Sequence, residues 1–254
     1  MFPLRDDNPT LSKPIATIAL ILLNLAAWVL LQGLGSEPAL SRSVCELGLI
    51  PAELFGTATP GGRVQVGENA YCVLGQGSWS SVLTSMFMHG SWFHIIGNMW
   101  FLWVFGNNVE DVMGKLRYLA FYLLCGVAAA MAQAFTSPHS AAPMVGASGA
   151  IGGVMGAYAV TYPQARVETL IFLGFYIRTV SVPAVAMLGY WFLLQLLSGL
   201  PSLAEDSVGG VAFWAHIGGF LAGVALTFVF RNPELLAAHR AATRRLQRYE
   251  QLVG

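Results

Sequence analysis

Six apolar stretches divide this chain, and none of its thirteen acidic residues falls inside any of them. They are Ile15–Leu34, Trp92–Val109, Tyr118–Phe135, Ala147–Tyr162, Thr179–Gly199 and Val211–Phe230. A helix needs about 20 mostly apolar residues to cross the hydrocarbon core of a bilayer. Five stretches approach that length. The fourth is short: at about 1.5 Å per residue it covers roughly 24 Å of a core about 30 Å thick. Its first residues are therefore expected below the membrane surface. Composition agrees, with 56% hydrophobic and 10% charged residues, where soluble domains carry about 25% charged. The expected fold is an all-α polytopic membrane protein of six helices with the lipid bilayer as its solvent. A formal net charge of zero gives no electrostatic case for a nucleic-acid partner.

Lysine and arginine set the orientation, because cytoplasmic loops collect them. With the N-terminus inside, the inner segments hold Arg5, Lys13, Lys115, Arg117, Arg166, Arg178, Arg231, Arg240, Arg244, Arg245 and Arg248, eleven of thirteen. The outer loops hold Arg42 and Arg63. Residues 1–14 then form a cytoplasmic segment, 15–230 the membrane domain and 231–254 a basic cytoplasmic tail. The first apolar stretch is too long for a signal-peptide core and reads as a retained span. The tail reads as a basic amphipathic helix, either a charge anchor or a membrane-surface element. The loop from Gly35 to Ser91 is the longest and should carry its own structure, part of it in the membrane interface. Cys45 and Cys72 both lie in this outer loop, where disulfides persist. A bridge between them and a pair of free thiols are both open on sequence grounds.

Polar groups inside a membrane are costly and call for a reason. His94 and Asn98 are four residues apart on the second stretch and share a helical face. Ser148 opens the fourth stretch and His216 lies early in the sixth. The charge-derived topology puts all four at similar depth in the outer half. A serine hydroxyl becomes a nucleophile when a base takes its proton, and histidine is the usual base. The oxyanion that follows needs aimed donors, which the Asn98 amide, the His94 ring and the Ser148 backbone N–H can supply. A triad would add a carboxylate beside His216. No stretch contains one, and Glu205 and Asp206 sit in the preceding loop, so a Ser148–His216 dyad is expected. His94 with Asn98 also fits a plain interhelical hydrogen-bond pair. Glycines crowd the fourth and sixth stretches, Gly146 and Gly149 flanking Ser148 and Gly219-x-x-x-Gly223 following His216. Small residues let helix backbones approach closely. No metal-ligand set such as H-E-x-x-H occurs. A transporter would call for inverted repeats and midplane ionisable groups, and neither is evident.

The segments Phe87–Asn98 (FMHGSWFHIIGN), Gly146–Gly149 (GASG), Ala215–Gly219 (AHIGG) and Phe105–Gly114 (FGNNVEDVMG) together resemble the rhomboid intramembrane serine proteases. The resemblance covers roughly Ile15 to Phe230, with the motifs on the second, fourth and sixth stretches in the family's order. It implies a six-helix bundle in which Ser148 is the nucleophile, His216 the base, and His94, Asn98 and the Ser148 backbone the oxyanion hole. It implies a mainly structural role for His89. Cleavage in or near the transmembrane helix of single-span membrane proteins follows from it, with no cofactor. So does a site opening outward, with a bacterial plasma membrane as the expected location. The alternative within the family is an inactive relative that binds transmembrane helices. Trp191 and Phe192 are candidates for a lateral gate on the fifth stretch, or ordinary lipid-facing or core aromatics. One departure stands out: Gly152 occupies a position where some rhomboids carry an aromatic that packs on the catalytic imidazole. A second is the stretch Thr57–Gly77, which stands where a Trp-Arg pair is often found.

Overall fold

A computed structural model describes residues 1–75, 77–173, 176–201 and 211–253. In chain order its elements are strand β1 (Phe2–Asp6), helices α1 (Ile15–Leu30), α2 (Ala39–Leu47) and α3 (Pro51–Leu54), then strands β2 (Arg63–Gln65) and β3 (Tyr71–Val73). Helices α4 (Ser81–Thr84), α5 (Trp92–Met113), α6 (Lys115–Thr136) and α7 (Ser148–Thr161) follow. Strands β4 (Arg166–Leu173) and β5 (Tyr176–Pro183) and helices α8 (Ala184–Gly199), α9 (Phe213–Phe230) and α10 (Pro233–Val253) complete the chain.

The six apolar stretches correspond in order to α1, α5, α6, α7, α8 and α9. Helices α6 and α9 are each long and apolar enough to cross a membrane, while α1 and α8 are shorter apolar helices. Helix α7 lies at the centre: from Gly149 to Ala159 every residue is buried. It packs against α5, α6, α8 and α9. A helix apolar all round belongs in such an interior. The outer helices turn large apolar side chains outward instead, among them Leu30, Phe93, Trp103, Leu197 and Val229. A surface of that kind suits lipid rather than water.

Backbone-on-backbone packing joins α7 to α9. A Cβ added to Gly219 would lie 1.9 Å from the Gly149 carbonyl oxygen, and one added to Gly223 would lie 2.0 Å from that of Gly153. Only glycine permits this approach. It sets the separation of the N-terminal turns of the two helices, which carry Ser148 and His216.

The expectation of a purely α-helical chain is corrected by two small sheets. Strands β1, β4 and β5 form an antiparallel sheet in the order β1-β4-β5, and β2 pairs with β3. The fifth apolar stretch is also shorter than expected. Thr179–Pro183 belongs to β5, paired with β4, and α8 begins only at Ala184. The reason is local. Val180 and Val182 alternate with polar residues, as β-branched residues do in strands, and Pro183, at the α8 N-cap, has no N–H to donate. In β4, Val167 and Thr169 are buried on one face.

The long first loop has its own structure, and a Cys45–Cys72 disulfide ties α2 to β3. Of the two states left open by sequence, the structure has the bridge. At the opposite end of the molecule, acidic residues of α5 hold the N-terminal segment. Glu110 accepts from the backbone N–H groups of Ala16 (3.0 Å) and Thr17 (2.8 Å) and from the Thr17 hydroxyl. Asp111 accepts from the N–H groups of Leu11 (2.6 Å) and Ser12 (3.0 Å). The first N–H groups of a helix have no partner within it, and α1 has no capping side chain of its own. Glu110 supplies one from a neighbouring helix. Helix α10 is not a free tail at its start: Leu236 and His239 are buried, and His239 Nε2 lies 2.8 Å from the Pro9 carbonyl.

Candidate active site

Ser148 is the first residue of α7, and His216 stands one turn into α9. The Ser148 Oγ and His216 Nε2 are 2.8 Å apart. Both face a cavity of about 670 Å³ that His94, Asn98, Met144 and Trp191 also line. The structure thus gathers the four polar residues singled out from sequence into one site.

Gly146 explains part of the geometry. Its φ of +131° is one that L side chains rarely adopt, and a Cβ there would sit 2.7 Å from His94 Nε2 and 3.6 Å from Ser148 Oγ. The bare backbone lets the His94 ring approach the serine. His94 is itself fixed at both ends. Its backbone N–H donates to the Ser91 hydroxyl, which caps α5, and its Nδ1 accepts from the Gly90 N–H at 3.4 Å. With Nδ1 as acceptor, the neutral ring carries its proton on Nε2, the nitrogen beside Gly146 and Ser148. Asn98 is 8% exposed, and its Nδ2 donor has no hydrogen-bond partner among the described residues. A buried donor without a partner in a native protein calls for an explanation, and here it belongs to the wall of the cavity. The N–H groups of the first turn of α7 also lack intrahelical partners.

His89 lies behind this row. It is fully buried, with its ring edge-on to His94 at 5.1 Å. Burial, and secondarily the neighbouring His94, push its imidazole down to about 3, so it is neutral. The Gln32 amide clamps the His89 backbone: Oε1 accepts from the N–H at 2.8 Å and Nε2 donates to the carbonyl at 2.7 Å.

Gly149 packs on Ala129 of α6, where a Cβ would lie 2.5 Å from the alanine Cβ, and Gly152 faces α9. A Cβ on Gly152 would meet the His216 carbonyl oxygen at 3.1 Å and the Phe220 nitrogen at 3.5 Å. Any side chain there would need the α9 backbone to shift by a few tenths of an ångström. The aromatic beside the imidazole comes from another helix, with the Trp191 ring of α8 at 5.7 Å. Phe192 packs on Phe220 at 4.8 Å.

One residue of the site escaped sequence reasoning. Gln195, on α8, places its Oε1 2.7 Å from His216 Nδ1. The signal was present: it is a lone amide in Leu-Leu-Gln-Leu-Leu, four residues after Trp191 and so on the same helical face. Glu205 and Asp206 lie outside the described residues. Among the described residues no group of three or more His, Cys, Asp or Glu side chains is placed to hold a metal.

Comparison with known proteins gives the same direction. The Rhomboid domain profile matches residues 76–233. The chain is 31% identical over 163 residues to "Rhomboid protease GluP" of Bacillus subtilis, covering 64% of this chain and 29% of that protein. It is 29% identical over 171 residues to the human "Presenilin-associated rhomboid-like protein, mitochondrial", covering 63% and 40%. It is 31% identical over 156 residues to "Rhomboid-like protein 11, chloroplastic" of Arabidopsis thaliana, covering 60% and 52%. The chain spans less than two thirds of each of these relatives.

Proposed function

Because this chain belongs to the rhomboid family of integral membrane proteins, we propose that it is an intramembrane serine endopeptidase acting on transmembrane segments of other membrane proteins. The observation that carries this reading is the 2.8 Å contact between Ser148 Oγ and His216 Nε2 beside an Asn98 donor that has no partner among the described residues. His216 takes the Ser148 proton as Oγ attacks the scissile carbonyl carbon. The oxyanion collects hydrogen bonds from Asn98 Nδ2, His94 Nε2–H and the Ser148 backbone N–H. Collapse expels the amine, which receives the proton from His216, and leaves an acyl-serine. Water, activated by the same imidazole, releases the acid and restores Ser148.

The mapping of α1, α5, α6, α7, α8 and α9 onto six spans supports a domain 15–230 between cytoplasmic segments 1–14 and 231–254. Two independent features favour a cavity that opens outside. Eleven of the thirteen basic residues fall at the opposite end. The Cys45–Cys72 bridge lies on the cavity side, as suits an oxidising compartment. A bacterial plasma membrane is the location we propose, a reading supported by the Bacillus relative alone among the three relatives described, the others being mitochondrial and chloroplastic.

The test is cleavage of a single-span substrate co-reconstituted in liposomes. The parent chain is expected to cut it and Ser148→Ala to leave it intact. Cutting by Ser148→Ala at the parent's rate would refute the assignment. Substrate binding by the parent without any cleavage across varied substrates would favour the non-proteolytic relative.

A further inference from the structure

We infer that Gln195 is the positioning residue for His216, so that a Ser–His–Gln row from three helices stands where a serine hydrolase more often has a carboxylate. The role in catalysis rests on the proposed protease reading; the tautomer it predicts does not. The row runs Ser148 Oγ to His216 Nε2 at 2.8 Å, then His216 Nδ1 to Gln195 Oε1 at 2.7 Å.

Only one arrangement of protons lets the imidazole act as a base. Nε2 must offer a lone pair to the serine hydroxyl, so Nδ1 must carry the proton and donate it. An amide oxygen on Nδ1 enforces that choice. It also remains a valid acceptor when the ring becomes imidazolium, since both nitrogens are then donors. An amide nitrogen in the same place would select the wrong tautomer and would clash with the imidazolium. Gln195 is half-buried on a helix whose other neighbours are apolar, and a polar side chain in that setting is expected to be hydrogen-bonded. Trp191, one turn earlier on the same face, packs against the imidazole at 5.7 Å. Helix α8 therefore sets both the tilt and the tautomer of a base carried by α9. The described groups around the imidazole are Ser148 from α7, Gln195 and Trp191 from α8, and His94 across the cavity from α5; His94 is the titratable one.

The direct test is ¹⁵N NMR of histidine-labelled protein in nanodiscs, with the His216 signals identified by their loss in His216→Gln. The parent is expected to show the Nδ1–H tautomer, and Gln195→Leu a mixture of the two. In a parallel cleavage assay Gln195→Leu should lose about tenfold in kcat with KM held, the worth of one hydrogen bond. Gln195→Glu should restore most of that rate and move the acidic limb of the pH–rate profile upward by about one unit, because a carboxylate favours the charged ring. A Nδ1–H tautomer that survives Gln195→Leu would overturn the inference. So would equal losses in the Leu and Glu variants with an unmoved pH profile, which is what a packing role predicts. If no variant and not even the parent cleaved substrate, the protease reading would fail while the NMR result still decided the role of Gln195.

Discussion

The two ends of the helical bundle use their polar groups differently. At the end that holds the termini, buried polar side chains tie backbone segments together, although Asn108 Oδ1 and His239 Nδ1 have no hydrogen-bond partner among the described residues. Glu110 and Asp111 accept from four main-chain N–H groups, Asn108 donates to the Pro9 carbonyl, and His239 meets the same carbonyl. At the cavity end side chains meet one another around an open space. Asn98 keeps a buried donor without a partner among the described residues, and Ser148 and His216 are paired with each other. The carboxylates at one end hold the N-terminal segment onto α5. At the other, Asn98 lines the cavity that Ser148 and His216 face. Polar groups at one end fasten chain segments to each other, while those at the other end gather around a cavity.

Substitutions at the two ends should separate stability from activity. The largest effect is expected for Glu110→Ala, which strands the N–H groups of Ala16 and Thr17 and the Thr17 hydroxyl. A loss of about 3 kcal/mol is expected, at the upper end for an orphaned buried network, read from thermal or denaturant unfolding in detergent. The remaining folded fraction should keep its specific activity. Asn98→Ala should do the reverse. Its kcat should fall about a hundredfold, as for loss of one oxyanion donor, with the unfolding midpoint held. If Asn98→Ala instead unfolded the protein and spared kcat, the division between the two ends would collapse.

A smaller effect is expected at Asp6, which accepts from the Tyr158 hydroxyl. Burial, only partly offset by this hydrogen bond, raises its carboxyl to about 6. The folded protein therefore holds the Asp6 proton more tightly than the unfolded chain does. Stability from this group is greatest below about pH 4 and declines as the pH rises from there through about 6. Asp6→Asn should flatten that part of a stability–pH curve. An unchanged slope would show that other groups set it. The smallest effect is expected at the exposed Arg5–Glu168 pair. Arg5→Ala should leave both unfolding and cleavage unchanged, because solvent screens such pairs.

The sequence carried the helices well where apolar length alone decides them. Helices α7 and α9 begin and end within two residues of the expected stretches, since Gly146 and Tyr162 bracket one and Phe230 is followed by arginine at the end of the other. It carried the site through His94, Asn98, Ser148 and His216, because each is an exception in an apolar run. The β4–β5 hairpin was hidden for the converse reason. Its β-branched and aliphatic residues read as part of the next span, and only the Val-Ser-Val-Pro alternation marks the strand. Gly152 misled because the aromatic it lacks is supplied from α8, and no spacing within α7 reveals that. Gln195 was visible as a residue type, but its partner lies 21 positions away on another helix. Cys45 and Cys72 gave the possibility of a bridge, and only the loop fold brings their sulfurs together.

The central claim is that His216 makes a nucleophile of Ser148, and labelling with a fluorophosphonate probe tests it most directly. After incubation with the protein in native-like membranes, peptide mapping should find the adduct on Ser148. The adduct should disappear in His216→Ala, a variant that keeps the serine. Labelling of Ser148 that is as fast without the imidazole, or a parent protein that takes up no probe, would contradict the account.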